Sequence, residues 1–300
     1  KITSSNVTLD GFTIQSVERD TKSNGIGVLI ERAEPGSPIG VSNVSITNMT
    51  FIDIGATNRD LYGAISVRGY SATHSNPKVN DLVPVLFPDT KPFTDISIDR
   101  CTFTDSGNNA IDFWTVSNGR ITNCTITGVI NNSWNRGNGI RGVDLQGTEI
   151  SNNYIRNVSQ VGIKILGTKT EDVNLNDNFV EDCPGILSVG IMIYYGASSV
   201  IAQNNEIQNC TNGILITAGC TFIDLKENLF HTIKSSPLTI GGLSNNINVT
   251  GNEFLSTLGS TVIKVLQAWS VNLDSNHIID HDFEIGRGTD PKRGILIGQT

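Results

Sequence analysis

Leu175-Asn-Asp-Asn-Phe-Val180, Ala202-Gln-Asn-Asn-Glu-Ile207, Leu225-Lys-Glu-Asn-Leu-Phe230 and Val249-Thr-Gly-Asn-Glu-Phe254 are four versions of one line. Each holds an apolar residue, a polar stretch closing on Asn, and an apolar anchor two residues on. Ile150-Ser-Asn-Asn-Tyr-Ile155 comes before them and Leu273-Asp-Ser-Asn-His-Ile278 after. The line returns about every two dozen residues, inside the ~20–50-residue range of solenoid repeats. A unit that short cannot bury its own apolar face and must stack on its neighbours.

Working outward, anchors of the same kind fall at Ile14, Phe51, Phe103 and Ile126. That predicts about ten coils, with the longer intervals carrying loop insertions. The coils read as strands. Apolar residues alternate with polar ones at Val7/Leu9, Val44/Ile46, Ile96/Ile98, Val173/Leu175 and Ile247/Val249, a period of two with one face buried. A turn and a second strand follow each anchor: Gly63-Ala-Ile65-Ser-Val67, Ala110-Ile111-Asp-Phe113, Gly142-Val143-Asp-Leu145, Gly162-Ile163-Lys-Ile165 and Gly190-Ile191-Met-Ile193. No stretch sustains a 3.6-residue apolar period with caps, so very little helix is expected. The unbroken repeat argues for one domain over 1–300. It opens in mid-pattern at Lys1 and closes in mid-strand near Ile297, so a fragment without its caps is expected.

Asn153, Asn178, Asn205, Asn228, Asn252 and Asn276 share one slot in successive coils. Asn tolerates a left-handed backbone, and stacked Asn side chains can hydrogen-bond along the stack. Cys101 and Cys124 fill the same slot in earlier coils. Cys183 and Cys210 sit where other coils carry Val129, Val158 and Ile233, a core-facing position. They read as buried free thiols acting as small apolar residues.

Only 17% of residues are charged and the net charge is −8, which argues against a nucleic-acid partner. No run is long and apolar enough for membrane insertion. No Cys/His spacing points to a metal.

Chemistry is sought on the outward face of the second strands. Between their paired apolar residues lie Ser66, Asp112, Asp144, Lys164 and Met192, and two residues further on lie Arg68, Trp114, Gln146, Leu166 and Tyr194. Insertions near 68–93 and 130–141 border these coils, and the second carries Trp134, Arg136 and Arg141. Asp112 and Asp144 are the expected catalytic pair. As ladder neighbours their Cα atoms would lie ~4.8 Å apart, and one carboxyl would be held neutral beside the other. An acid beside a carboxylate is the machinery of glycosidic hydrolysis. Lys164, with Arg136 and Arg141, permits another chemistry: neutralising a uronate carboxylate and removing the adjacent proton. Arg68 and Gln146 complete the expected polar surface. Trp114, Trp134, Tyr194 and Tyr195 are expected to stack on sugars. Trp269 is assigned to packing.

The repeat and the Asn column resemble right-handed parallel β-helix proteins of the pectate-lyase-like superfamily. The resemblance covers nearly the whole chain and implies an all-β solenoid. Low charge, abundant Asn, Ser and Thr, and unpaired core Cys look most like phage tailspikes and polysaccharide depolymerases. That likeness implies a side-by-side homotrimer on a virion tail or outside the cell, cleaving a bacterial surface polysaccharide. A lyase or epimerase on uronate polymers and a non-catalytic glycan-binding rod are the alternatives; no cofactor is expected, except that a lyase could use calcium. The chain has no Asp-Asp pair, no Gly-His-Gly and no pectate-lyase calcium pattern, so no catalytic residue is carried over from the family.

Overall fold

The computed structural model describes residues 1–17, 25–32, 40–55, 63–69, 92–130, 137–258, 261–279 and 293–298. Within them the chain visits three sheets in turn and then repeats the circuit one level along. Two sheets hold ten strands each. The third holds eleven, because Val116–Ser117 forms a short branch beside Phe93–Asp99. Every strand pairs in parallel with strands one coil away, as Leu175↔Ala202, Val180↔Ile207 and Ile191↔Ile214 illustrate. No helix occurs among the described residues.

One residue in two points inward. Ile, Val, Leu and Phe from all three sheets form a single continuous core. Like residues stack on like: Phe51 on Phe103 with ring centroids 4.9 Å apart, and Phe230 on Phe254 at 4.7 Å. Each buried side chain of this size stabilises the fold by about 1.5–3 kcal/mol. The five cysteines Cys101, Cys124, Cys183, Cys210 and Cys220 are buried and free.

The Asn column forms a hydrogen-bonded ladder. The backbone N and Nδ2 of Asn178 both donate to Oδ1 of Asn205, at 3.1 and 3.0 Å. Asn205 repeats this on Asn228 at 3.0 and 2.9 Å. The other Nδ2 hydrogen goes back to a strand carbonyl, Leu175 O for Asn205 and Ala202 O for Asn228. The left-handed conformation, however, belongs to the residue before each ladder Asn. Asp177, Asn204 and Glu227 take φ of 56°, 53° and 52°. The preceding residue makes the turn, and the buried Asn satisfies the backbone groups that the turn exposes. Cys124 ends the ladder: its N–H donates to Asn153 Oδ1, and its thiol donates to Thr122 O at 3.3 Å.

One coil departs from the expected register. Ile111, Asp112 and Phe113 pair with Ile140, Arg141 and Gly142, and those in turn with Ile163, Lys164 and Ile165. The strand is therefore Asn138–Val143, three residues ahead of the Gly142-Val143-Asp-Leu145 reading. Gly142 stands where its neighbours carry Phe113 and Ile165. Leu145 folds back into the space this leaves, and a Cβ on Gly142 would collide with its Cδ1. Leu145 is fully buried there. An apolar residue supplied from beyond the turn makes the local pattern look shifted.

Candidate functional site

The outward face of the sheet containing Gly63–Arg68, Asn109–Trp114, Asn138–Val143 and Val161–Leu166 carries the site. One ladder column runs Ser66, Asp112, Arg141, Lys164, Met192, Leu215. The next runs Arg68, Trp114, Val143, Leu166, Tyr194, Thr217. Pairs in register lie about 4.8 Å apart at Cα.

Asp112 is completely buried, and both of its oxygens are engaged. Oδ2 accepts from Arg68 Nη2 at 2.7 Å, and Oδ1 accepts from Trp114 Nε1 at 2.8 Å. Trp114 receives guanidinium groups from both flanking strands, Arg68 Cζ 4.8 Å and Arg141 Cζ 4.7 Å from its ring centroid. Cations so placed over an indole are attracted by the ring quadrupole. Arg68, Arg141 and Lys164 are all buried. Removing one partner from a buried ion pair costs about 3–5 kcal/mol, because the other charge is left uncompensated. Along the second column Trp114, Val143 and Leu166 form an apolar strip, with Tyr194 and Tyr195 packed against its end and still partly exposed.

Several expectations change on this geometry. Asp144 does not stand beside Asp112. It lies past the end of its strand with φ 51°, and its Oδ1 accepts the backbone N–H of Lys169 at 3.2 Å. Three residues along a strand and one strand across put the two Cα atoms ~11 Å apart. The Asp144 carboxylate fills the space above Gly167, whose φ of 117° suits glycine and where any Cβ would strike Asp144 Oδ1. Burial raises the Asp144 carboxyl above its ordinary range, with the Lys169 N–H and charge opposing. It therefore caps a turn, and the two acids are not ladder neighbours. Gln146 also leaves the face. It bridges Ser117 and Glu171, with Oε1 accepting from Ser117 Oγ at 3.0 Å and Nε2 donating to Glu171 Oε1 at 3.1 Å. Trp114 is buried, so its indole faces Asp112 and the two guanidinium groups and offers no stacking surface. Trp269, assigned to packing, is 52% exposed. Trp134 and Arg136 lie outside the described residues, as do most of the first insertion and half of the second.

What comes together is Arg68, Asp112, Trp114, Arg141 and Lys164, with Tyr194 along the sheet. Two groups escaped notice. Arg32 donates Nε and Nη2 to Gly69 O, at 3.1 and 2.7 Å, and its Cζ lies 5.2 Å from the Phe93 ring centroid. Burial lowers its guanidinium pKa. Asn109 and Asn138 stack at the start of the face, with Nδ2 of Asn138 donating to Oδ1 of Asn109 at 2.8 Å. The next two coils carry Val161 and Val189 at this ladder position, but Asn212 and Ser236 follow, so polarity there gave no distinctive signal. Among the described residues no three His, Cys, Asp or Glu gather to hold a metal ion.

Comparison with known proteins follows this architecture. The family described as "Right handed beta helix region" matches residues 90–254. No curated protein matches in sequence. Among solved structures, the chain is similar to the DFA-IIIase of Arthrobacter chlorophenolicus A6 without its lid, at 16% identity and a TM-score of 0.63. That match covers 91% of this chain and 64% of that enzyme, so the chain spans less than two thirds of its length. The Streptococcus pneumoniae surface protein and adhesin PfbA is similar at 11% identity and a TM-score of 0.56, covering 96% of this chain and 85% of that one. The mannuronan C-5 epimerase AlgE4 A-module of Azotobacter vinelandii is similar at 13% identity and a TM-score of 0.53, covering 99% and 91%. At these identities the likeness is one of fold, and a fold hosts many activities.

Proposed function

The chain belongs to the right-handed β-helix family, and from that premise we propose that it is a carbohydrate-active member acting on an acidic bacterial polysaccharide. The observation that carries the reading is Arg141 beside Lys164 in adjacent strands of one face. A guanidinium can clamp the two oxygens of a uronate carboxylate, which makes the neighbouring C–H more acidic. The Lys164 amine would take that proton. In a lyase the electron pair left behind forms the C4=C5 double bond and expels the C4–O glycosidic oxygen, which takes a proton from the Lys164 ammonium or from water. In an epimerase the carbon regains a proton on its other face from water. This reading is preferred to two-acid hydrolysis because Asp112 and Asp144 are not neighbours and both are occupied. An epimerase among similar folds supports it by analogy only. Tyr194 and Tyr195, partly exposed, supply a stacking shelf along the same sheet. Arg141 and Lys164 are closed from solvent in this state, so the reading requires an opened form that polymer can enter.

A second reading is a glycan-binding adhesin in which the ion cluster is a structural clamp. Complete burial of Asp112, with both oxygens taken, favours it. A bacterial surface polysaccharide as partner, a homotrimer, and a virion-tail or extracellular site belong to this proposal too. Light scattering tests the trimer.

Activity on a panel of acidic and neutral bacterial polysaccharides tests the chemistry, with wild type compared against Lys164→Met and Arg141→Lys. Ultraviolet absorbance of an unsaturated uronate, lost in both variants while their melting temperatures hold, is the expected lyase result. Conversion of uronate stereochemistry without cleavage indicates the epimerase. Reducing ends without absorbance would return the assignment to hydrolysis, and binding without turnover to the adhesin.

A further inference from the structure

Exposed apolar side chains gather beside the same coils. Ile130, Ile186 and Leu187 are all exposed, Ile186 at 91%. They line an open cleft of about 610 Å³ together with Asn157, Ser159 and Gln160. That volume falls within the ~300–1,000 Å³ of small-molecule sites, which are largely apolar with a few polar groups.

The apolar wall is tied down by hydrogen bonds. Ile186 and Leu187 are the central residues of a turn closed by Ser188 N donating to Gly185 O at 2.9 Å. Ser188 Oγ donates to Cys183 O, and Thr211 Oγ1 donates to Gly185 O at 2.8 Å, tying the turn to the next coil. Two large apolar side chains are thus held out in water by a preorganised backbone, which lowers the ordering cost of binding. Across the cleft, the side-chain amides of Asn157 and Gln160 make no hydrogen bond among the described residues. The described lining has amides, a hydroxyl and aliphatic carbon but no ionisable side chain. In a chain of net charge −8 this is a site for an uncharged group.

Gln160 directly precedes the strand Val161–Leu166 that carries Lys164. Four residues of strand place the cleft ~13 Å from that lysine. A few-residue oligosaccharide lying along the strand would span both places. We infer that the cleft is a subsite for an uncharged, acetyl-bearing sugar of the polymer whose uronate meets Arg141 and Lys164. The aliphatic wall takes the acetyl methyl, and Asn157 and Gln160 take its carbonyl and the ring hydroxyls. The inference rests on the function proposed above and defines the substrate as a heteropolymer with an acetylated neutral residue a few sugars along from the uronate.

The test uses the full chain labelled at Ile and Leu methyl groups. It is titrated with N,N′-diacetylchitobiose and, as the matched probe without acetyl groups, with cellobiose. Saturable shifts of the Ile130, Ile186 and Leu187 methyl signals are expected with the acetylated sugar, at least about tenfold weaker with cellobiose. Gln160→Ala, checked for unchanged melting, should weaken the acetylated sugar about tenfold, the loss of one good hydrogen bond. Equal response to both sugars, or no response, overturns the subsite. So does a shift of the same methyl signals with protein concentration alone, which would make the cleft a contact between copies. If turnover of uronate polymers is seen while the methyl signals stay still, only the subsite fails. Methyl shifts with no turnover of any uronate polymer sink the catalytic reading and leave a binding cleft.

Discussion

Asp112 and Asp144 differ in what surrounds each carboxylate. Asp112 is the buried counter-ion of Arg68 and the acceptor for Trp114. Asp112→Asn should cost about 3–5 kcal/mol of folding free energy, read by urea unfolding, because the Arg68 charge stays buried without its partner. Asp144→Asn keeps an oxygen for the Lys169 N–H and removes a charge that burial disfavours. It should leave stability within about 0.5 kcal/mol at neutral pH and leave turnover intact. Lost activity in a stably folded Asp144→Asn protein would overturn its role as a turn cap. Cys220 gives a pH prediction. Burial pushes its thiol up to about 11 from an ordinary 9.0. A raised folded value means that the neutral thiol is the form the fold favours. Its stabilisation is complete below pH 9 and drains away as pH rises through 11. Wild type should lose about 2–3 kcal/mol more than Cys220→Ala across that window. A parallel fall in both proteins would sink this assignment.

Among elements, the Asn ladder ties one coil to the next. Asn205 accepts two bonds from Asn178 and donates one to Leu175 O and two to Asn228. Asn205→Ala strands two buried donors of Asn178 at a cost of about 1–3 kcal/mol each. The expected loss is about 3–5 kcal/mol by chemical denaturation. A loss below 1 kcal/mol would mean that the ladder is decoration on a fold held by its core. The ladder slot was legible because it repeats with identical residues. The Asn138–Val143 strand was not. Gly142 leaves a gap in the apolar alternation and Leu145 fills it from beyond the turn, so the period-two pattern reads equally well three residues late. That slip moved Asp144 into the column that Arg141 occupies, and with it the expected chemistry.

At the scale of the molecule, burial is deepest in the middle coils. Core positions such as Ile121, Val180, Ile207 and Phe254 are fully buried, whereas Val7, Leu9 and Ile14 in the first coil and Val271 and Leu273 in the last are only partly so. In a solenoid each coil is held by its neighbours, so opening should spread from the ends. Amide exchange is expected to be slowest between Ile121 and Phe254 and faster in both terminal coils. Uniform protection along the chain would contradict nearest-neighbour stability. The sequence by itself determined the parallel solenoid, its strand-built coils, the ladder slot and the buried cysteines. These follow from periodic burial, which a repeat writes into the chain many times over. Tertiary structure alone decided which charged residues meet. Arg68, Asp112, Trp114, Arg141 and Lys164 come from four coils, and their contacts depend on a strand register that one glycine and one inserted leucine reset. A pattern repeated in every coil survives a single exception, but a site formed once, across coils, has no second copy against which its register can be checked.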